Sequence, residues 1–240
     1  MRCVSNRFFA AVGLAALLTS AASAQGFEPE TGVFGDLGPP QPYALAVRDA
    51  LLGPDSYRQC QLLVMPSFEV EYAVYMVRAA DGSATVVSRT LVRSLWDALM
   101  THLSRSSKSQ SYSTGAGAQQ AALKRMKTPA VRTHRAALDA DSVARLSGIC
   151  RNVLLQVRYP AQPSGGLDGV SYHAAHWEPG LVLSGRTWSP EDDSLAGAFV
   201  AMGLALKGYA DAPESQREAR KQELLERARQ VSDRLQAAGR

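Results

Sequence analysis

The chain has 240 residues, 46% of them hydrophobic, with 26 basic and 22 acidic side chains. Beyond its first two dozen residues no segment is long and apolar enough to hold the chain in a bilayer. Two of the basic residues, Arg2 and Arg7, fall in those first residues, so the rest is nearly neutral and the composition does not imply a nucleic-acid partner.

The chain opens on a short basic stretch, an uncharged apolar run from Phe8 to Leu18 and the small-x-small triplet Ala22-Ser23-Ala24. This is the pattern of a secretory signal peptide cleaved near Ala24, and it implies a periplasmic or secreted product. Cys3 falls in the leader, which leaves Cys60 and Cys150 for one disulfide in an oxidising compartment. Residues 25–42 hold four prolines and four glycines and read as an extended or mobile arm.

Tyr43 to Leu52 has helical spacing, stopped by Gly53-Pro54. Leu62 to Met65 is a short apolar strand. From Glu69 to Arg78 the pattern alternates, with Val70, Tyr72, Val74 and Met76 on one face. Asp81-Gly82 is a hairpin turn, and Ala84 to Thr90 is the returning strand. The period then changes, and Leu95, Trp96, Leu99 and Leu103 form one stripe of a helix over 91–103. Residues 104–127 are rich in Ser, Gly and Gln and read as a mobile loop.

Thr128 to Leu138 is ambiguous in its pattern, a strand being one reading of it, and Asp139 or Asp141 caps a helix through Val143, Leu146, Ile149 and Val153. Val170 to Ala174 and Leu181 to Trp188 pair as strands around the turn Glu178-Pro179-Gly180. Ser189 then reads as the N-cap of a helix, with Pro190 at its first position and Asp192 closing a Ser-x-x-acid box. That helix carries Leu195, Phe199, Met202 and Leu206. A charged amphipathic helix over 213–240 has Leu224, Ala228, Val231 and Leu235 on its stripe. The expected fold is a single α+β domain over 43–212, an antiparallel sheet with packed helices, followed by that C-terminal helix.

Chemistry concentrates in residues 167–194, where Asp168, His173, His176 and Arg186 are the candidates for a catalytic cluster on neighbouring strands. His173 and His176 lack the third and fourth ligands that zinc needs, so no metal and no cofactor is expected. Ser171 stands in Gly-x-Ser-x-His, one residue short of a nucleophile elbow, and strand pattern follows it where the elbow needs a helix. Both histidines read as surface or half-buried imidazoles. Glu69 and Glu71 would share a strand face about 7 Å apart, the requirement for paired-carboxylate chemistry, although an exposed strand face explains them as well.

From Ala98 to Leu138 there is no acidic residue. Arg105, Lys108, Lys124, Arg125 and Lys127, with Arg132 and Arg135, make this stretch a candidate contact for an envelope protein or an anionic glycan. Aromatic side chains are nearly absent from it, which argues against single-stranded nucleic acid.

The runs Gly166-Leu167-Asp168-Gly169, Ser171-Tyr172-His173 and Thr187-Trp188-Ser189-Pro190 carry a resemblance to a group of uncharacterised exported proteins of Gram-negative bacteria. The likeness covers about two-thirds of the chain beyond the leader. It implies an exported α+β domain and carries no activity or site residue with it. The sequence therefore leaves two functions open. One is a non-enzymatic binding, inhibitor or envelope accessory domain. The other is a hydrolase acting on envelope material.

Overall fold

The computed structural model describes residues 26–30, 32–34, 41–53, 58–106, 115–159 and 168–238. It is an α+β structure built on a six-stranded antiparallel sheet with the order β4-β3-β2-β1-β5-β6. The elements run α1 (Pro42–Leu51), β1 (Gln59–Pro66), β2 (Tyr72–Arg78), β3 (Ala84–Leu91), α2 (Leu95–Ser106), α3 (Ala116–Arg125), β4 (Val131–Leu138), α4 (Ala140–Leu154), β5 (Val170–Glu178), β6 (Leu181–Trp188), α5 (Leu195–Asp211) and α6 (Glu214–Ala238). Helices α1, α2 and α3 pack on one face of the sheet; α4, α5 and α6 pack on the other.

Strand period explains why the sheet can serve two cores. Successive side chains point to opposite faces. On β1, Leu62 and Val64 enter the core under α4 and α5, while Leu63 and Met65 enter the core under α1. Every residue of β1 is buried, which is why its stretch from Leu62 to Met65 reads in sequence as an apolar run rather than an alternation. Each fully buried Leu or Val contributes about 1.5–3 kcal/mol, so this central strand dominates the core. Helix α5 crosses it closely because Gly203 faces Leu62: a Cβ on that residue would run into the leucine side chain.

Most expected elements are present, and four depart from expectation. The arm is no loose segment where it is described: Phe27 and Val33 are buried, and Glu28 bridges to Arg186 on β6. The supposed loop over 104–127 contains helix α3 over Ala116–Arg125, where Ala122 is buried and Leu123 and Met126 pack against the α1 core. Part of that stretch, residues 107–114 with Lys108, lies outside the described residues, as do the expected leader and its expected cleavage point. Helix α2 begins at Leu95, not Leu91, because Leu91 is the last residue of β3 and Ser94 caps the helix, its Oγ accepting from the Asp97 amide at 3.2 Å.

The fourth departure is the cap of α5. Ser194, not Ser189, is the N-cap, and its Oγ accepts from the Gly197 amide at 2.9 Å. Ser189 has φ 37° and closes the hairpin ladder, its Oγ accepting from the Val170 amide at 3.0 Å. Residues 191–193 fold back over Gly197 so tightly that a side chain there would strike the Glu191 carbonyl. Asp139 caps α4 as expected, accepting from the Ser142 amide at 2.9 Å. Its carboxyl is held well below the usual range by Lys221, which pairs with it at 2.7 Å, and by that amide. The α6 stripe is covered by α4 and α5: Leu224, Ala228 and Val231 are fully buried within the domain.

Candidate functional site

Hairpin β5–β6 carries three of the four residues expected to form a site. His173 pairs across the strands with Arg186, and His176 with Leu183. A separation of three is odd, so the alternation of a strand sends the two histidines to opposite faces. His173 lies beside Leu63 on the α1 face, and His176 lies beside Cys60 on the α4 face. Neither is a surface imidazole: His173 is 7% exposed and His176 is 1% exposed. Asp168 is exposed in the bend before β5. The four residues therefore do not converge.

Each histidine has a structural partner. His173 Nδ1 lies 2.7 Å from Glu30 Oε2, and Glu30 is itself 2% exposed. The other carboxylate oxygen accepts from the Val33 amide at 3.2 Å, and the Val33 carbonyl accepts from Arg48 at 2.9 Å. Arg186 meets Glu28 at 3.4 Å, and the backbones of these two residues exchange bonds of 2.8 and 2.9 Å. Phe27 completes the attachment, edge-on to Phe199 with centroids 5.2 Å apart. His173 and Arg186 thus fasten the N-terminal segment to the sheet.

On the opposite face, His176 Nδ1 accepts from the Cys60 amide at 3.2 Å, so the ring proton belongs on Nε2, which faces Glu178 Oε1 at 3.3 Å. Arg151 of α4 reaches the same carboxylate at 3.5 Å. Burial pushes the His176 imidazole below its ordinary value, and the Glu178 carboxylate opposes this only in part. A proton on Nδ1 would confront the Cys60 N–H. The unfolded ring titrates near 6.5 and the folded ring lower, so the stability that neutral His176 provides is complete above about pH 6.5 and is lost as pH falls below it. Urea midpoints from pH 7.5 to 5 should fall for the wild type and fall less for His176→Gln. Parallel curves for the two proteins would remove His176 from the acid response.

Cys60 and Cys150 form the expected disulfide, with Cα atoms 5.5 Å apart, joining β1 to α4 beneath His176. Both cysteines are buried, which leaves the bridge no access to exchange chemistry.

The carboxylate pair is not formed. Glu69 is exposed in the bend before β2, while Glu71 is fully buried and accepts from Tyr43 Oη at 2.7 Å and from the Leu95 and Trp96 amides at 3.0 Å each. Glu71 therefore holds the start of α2. A second group of titratable side chains, not anticipated from sequence, stands on the α5 face. Tyr72 and Tyr172 flank Val64, and Lys207 Nζ lies 5.2 Å from the Tyr72 ring centroid. Burial raises both phenols, and the Glu69 charge adds to it.

Ser171 lies inside β5, so it forms no strand-to-helix elbow. Among the described residues no group of three or more His, Cys, Asp or Glu side chains is placed to hold a metal ion. No helix among them is long and apolar enough to cross a membrane. Arg105 stands near the end of α2, Lys124 and Arg125 end α3, and Lys127 follows it. All four are exposed.

The site and fold define an antiparallel α+β sandwich whose conspicuous histidines are built into its core. Comparison of the chain with protein families, with curated proteins and with solved structures finds no match.

Proposed function

We propose that the protein is exported to the periplasm and acts there as a non-enzymatic binding domain, of the inhibitor, immunity-factor or envelope-accessory kind. One observation carries this reading. The polar residues of the β5–β6 hairpin are divided between two faces of the sheet and engaged in holding the fold, with His173 on Glu30, His176 on the Cys60 amide and Arg186 on Glu28. A catalytic site needs such groups convergent on one reacting atom. The Cys60–Cys150 bridge and the signal-like leader support export.

The Glu30–His173 contact favours a second reading. A buried carboxylate on Nδ1 is how hydrolases orient a general base. Among the described residues no serine, threonine or cysteine is hydrogen-bonded to that ring, so a hydrolase here would act through water. The experiment incubates the protein, without its leader, with isolated envelope material and measures both retention and soluble fragments. Stoichiometric retention with no fragments is the expected result. Fragments released by the wild type and not by His173→Gln would establish the hydrolase instead.

A further inference from the structure

The charged surfaces of the two ends of the chain differ in kind. Helix α6 is densely charged, but its cations are largely answered within the helix: Arg217 by Glu214, Arg220 by Glu223, and Arg229 by Glu226 and Asp233. Among its described residues the acid-free stretch has no such answer. Arg105, Lys124, Arg125, Lys127, Arg132 and Arg135 are all exposed, and none makes an ion pair among the described residues. Helices α2 and α3 are in contact, and β4 follows α3 after a short connection.

The shape of this surface is set by β4, the edge strand. Its register with β3 places Arg132 and His134 on the α5 face and Arg135 on the α1 face, the side on which α3 packs. Arg132 and Arg135 therefore flank the sheet edge as a ridge of positive charge, and the cations that end α3 lead into it along the chain. The strand edge itself is partly closed, because the Ala137 carbonyl accepts from Tyr209 Oη and the Arg135 carbonyl accepts from Arg217 at 3.3 Å. Strand addition along β4 is obstructed there, and the side chains remain to make contact.

Resting on the binding reading above, we infer that this ridge is the docking surface and that its occupant is a linear acidic polysaccharide. Three features select that chemistry. Exposed cations on successive elements, without an ion pair among the described residues, match repeated negative charges along a chain, with release of the counterions of both. A flexible polymer can follow a convex edge and touch Arg132 and Arg135 on opposite sides of it, whereas a flat bilayer surface meets one side. From Gly115 to Leu138 there is no Phe, Tyr or Trp on which bases could stack, which disfavours single-stranded nucleic acid.

The test measures binding of the leaderless protein to immobilised heparin and to polygalacturonate, across a salt series. Phosphatidylglycerol vesicles and a single-stranded oligothymidylate serve as rival probes. The expected result is binding to the two polysaccharides that weakens steadily with salt, and a loss of at least about tenfold in Lys124→Glu/Arg132→Glu. The matched control Arg220→Glu/Arg227→Glu, with the same change in net charge, should lose far less. Equal losses in the two variants would show binding to net charge alone and overturn the ridge. Tighter binding to vesicles or to the oligonucleotide than to either polysaccharide would overturn the choice of occupant. Absence of polysaccharide binding with undiminished retention by envelope material would sink this surface and leave the binding reading standing. Absence of both would remove that reading as well.

Discussion

Glu71→Ala is expected to destabilise the protein by about 3–5 kcal/mol, because four donors, the Ser94 hydroxyl at 3.4 Å among them, lose their common acceptor in a place water does not reach. Glu71 is fully buried and accepts from the Tyr43 phenol and from the Leu95 and Trp96 amides. Those amides belong to the first turn of α2, where backbone donors have no partner within the helix and a negative charge is favoured. Each donor left unpaired costs about 1–3 kcal/mol. Glu71→Gln keeps one acceptor oxygen and the shape while losing the charge, and it should cost about 1–2 kcal/mol. Tyr43→Phe removes one donor together with its share of the carboxylate, at about 1 kcal/mol. Since whole domains are stable by only about 5–15 kcal/mol, the alanine variant sits near the limit of folding and the milder pair keeps the idea measurable.

The same contact has a signature at high pH. Burial, and then the Glu71 charge, push the Tyr43 phenol well above its ordinary value of 10.0. A group raised in this way contributes stability that is complete below about pH 10 and is lost as pH rises beyond it, when the unfolded phenol ionises and the folded one does not. Urea denaturation followed by the fluorescence of Trp96 in a Trp177→Phe/Trp188→Phe background, its ring centroid 5.1 Å from that of Tyr43, reports on this region. Tyr43→Phe should flatten the alkaline decline. Equal midpoints for wild type and Glu71→Ala would show that water supplies the acceptor.

The role of Glu71 was not read from the sequence, where the helix was expected to start at Leu91, although half of it was there to be read. Ser94-x-x-Asp97 is a capping signature that marks the start of α2, and the Ser94 Oγ bond to the Asp97 amide follows from it. That a carboxylate from the start of β2 completes the cap depends on the β2–β3 pairing, which no local pattern reveals. The strands and the turns at Asp81-Gly82 and Pro179-Gly180 were readable because burial of one or both faces writes itself into the pattern. Helix α3 was not readable from periodicity, since it has few apolar residues. Its Ala and Gln content is a propensity signal, which a reading for Ser and Gly overrode. The separation of His173 and His176 onto opposite faces was available in their odd spacing. The engagement of Glu28 and Glu30 was not, because an arm rich in Pro and Gly carries no period, and its place against β6 is a tertiary fact.

Removing the Cys60–Cys150 bridge is the other change of large expected effect. The two residues are 90 apart in sequence, and cross-linking them shrinks the unfolded ensemble far more than it changes the folded contacts. The chain-entropy relation gives about 4–5 kcal/mol as an upper figure, and about 2–4 kcal/mol is the usual yield. Local packing adds to it. Cys60 has φ 51° beside the irregular pairing between Gln59 and Leu62, and its amide is held by the His176 ring. Cys150 is fully buried on α4, so the bridge clamps that helix to the central strand. Urea unfolding of the oxidised protein, the reduced protein and Cys60→Ala/Cys150→Ala separates these effects. The oxidised form should have the highest midpoint, and the other two should agree, with a steeper dependence on urea because an uncrosslinked chain exposes more surface when it unfolds. Equal midpoints in all three would show that native packing, and not the constraint on the unfolded chain, holds α4 to β1. Two freely alkylated thiols in protein recovered from an oxidising compartment would show that the bridge does not form there, and would withdraw the support that it lends to export.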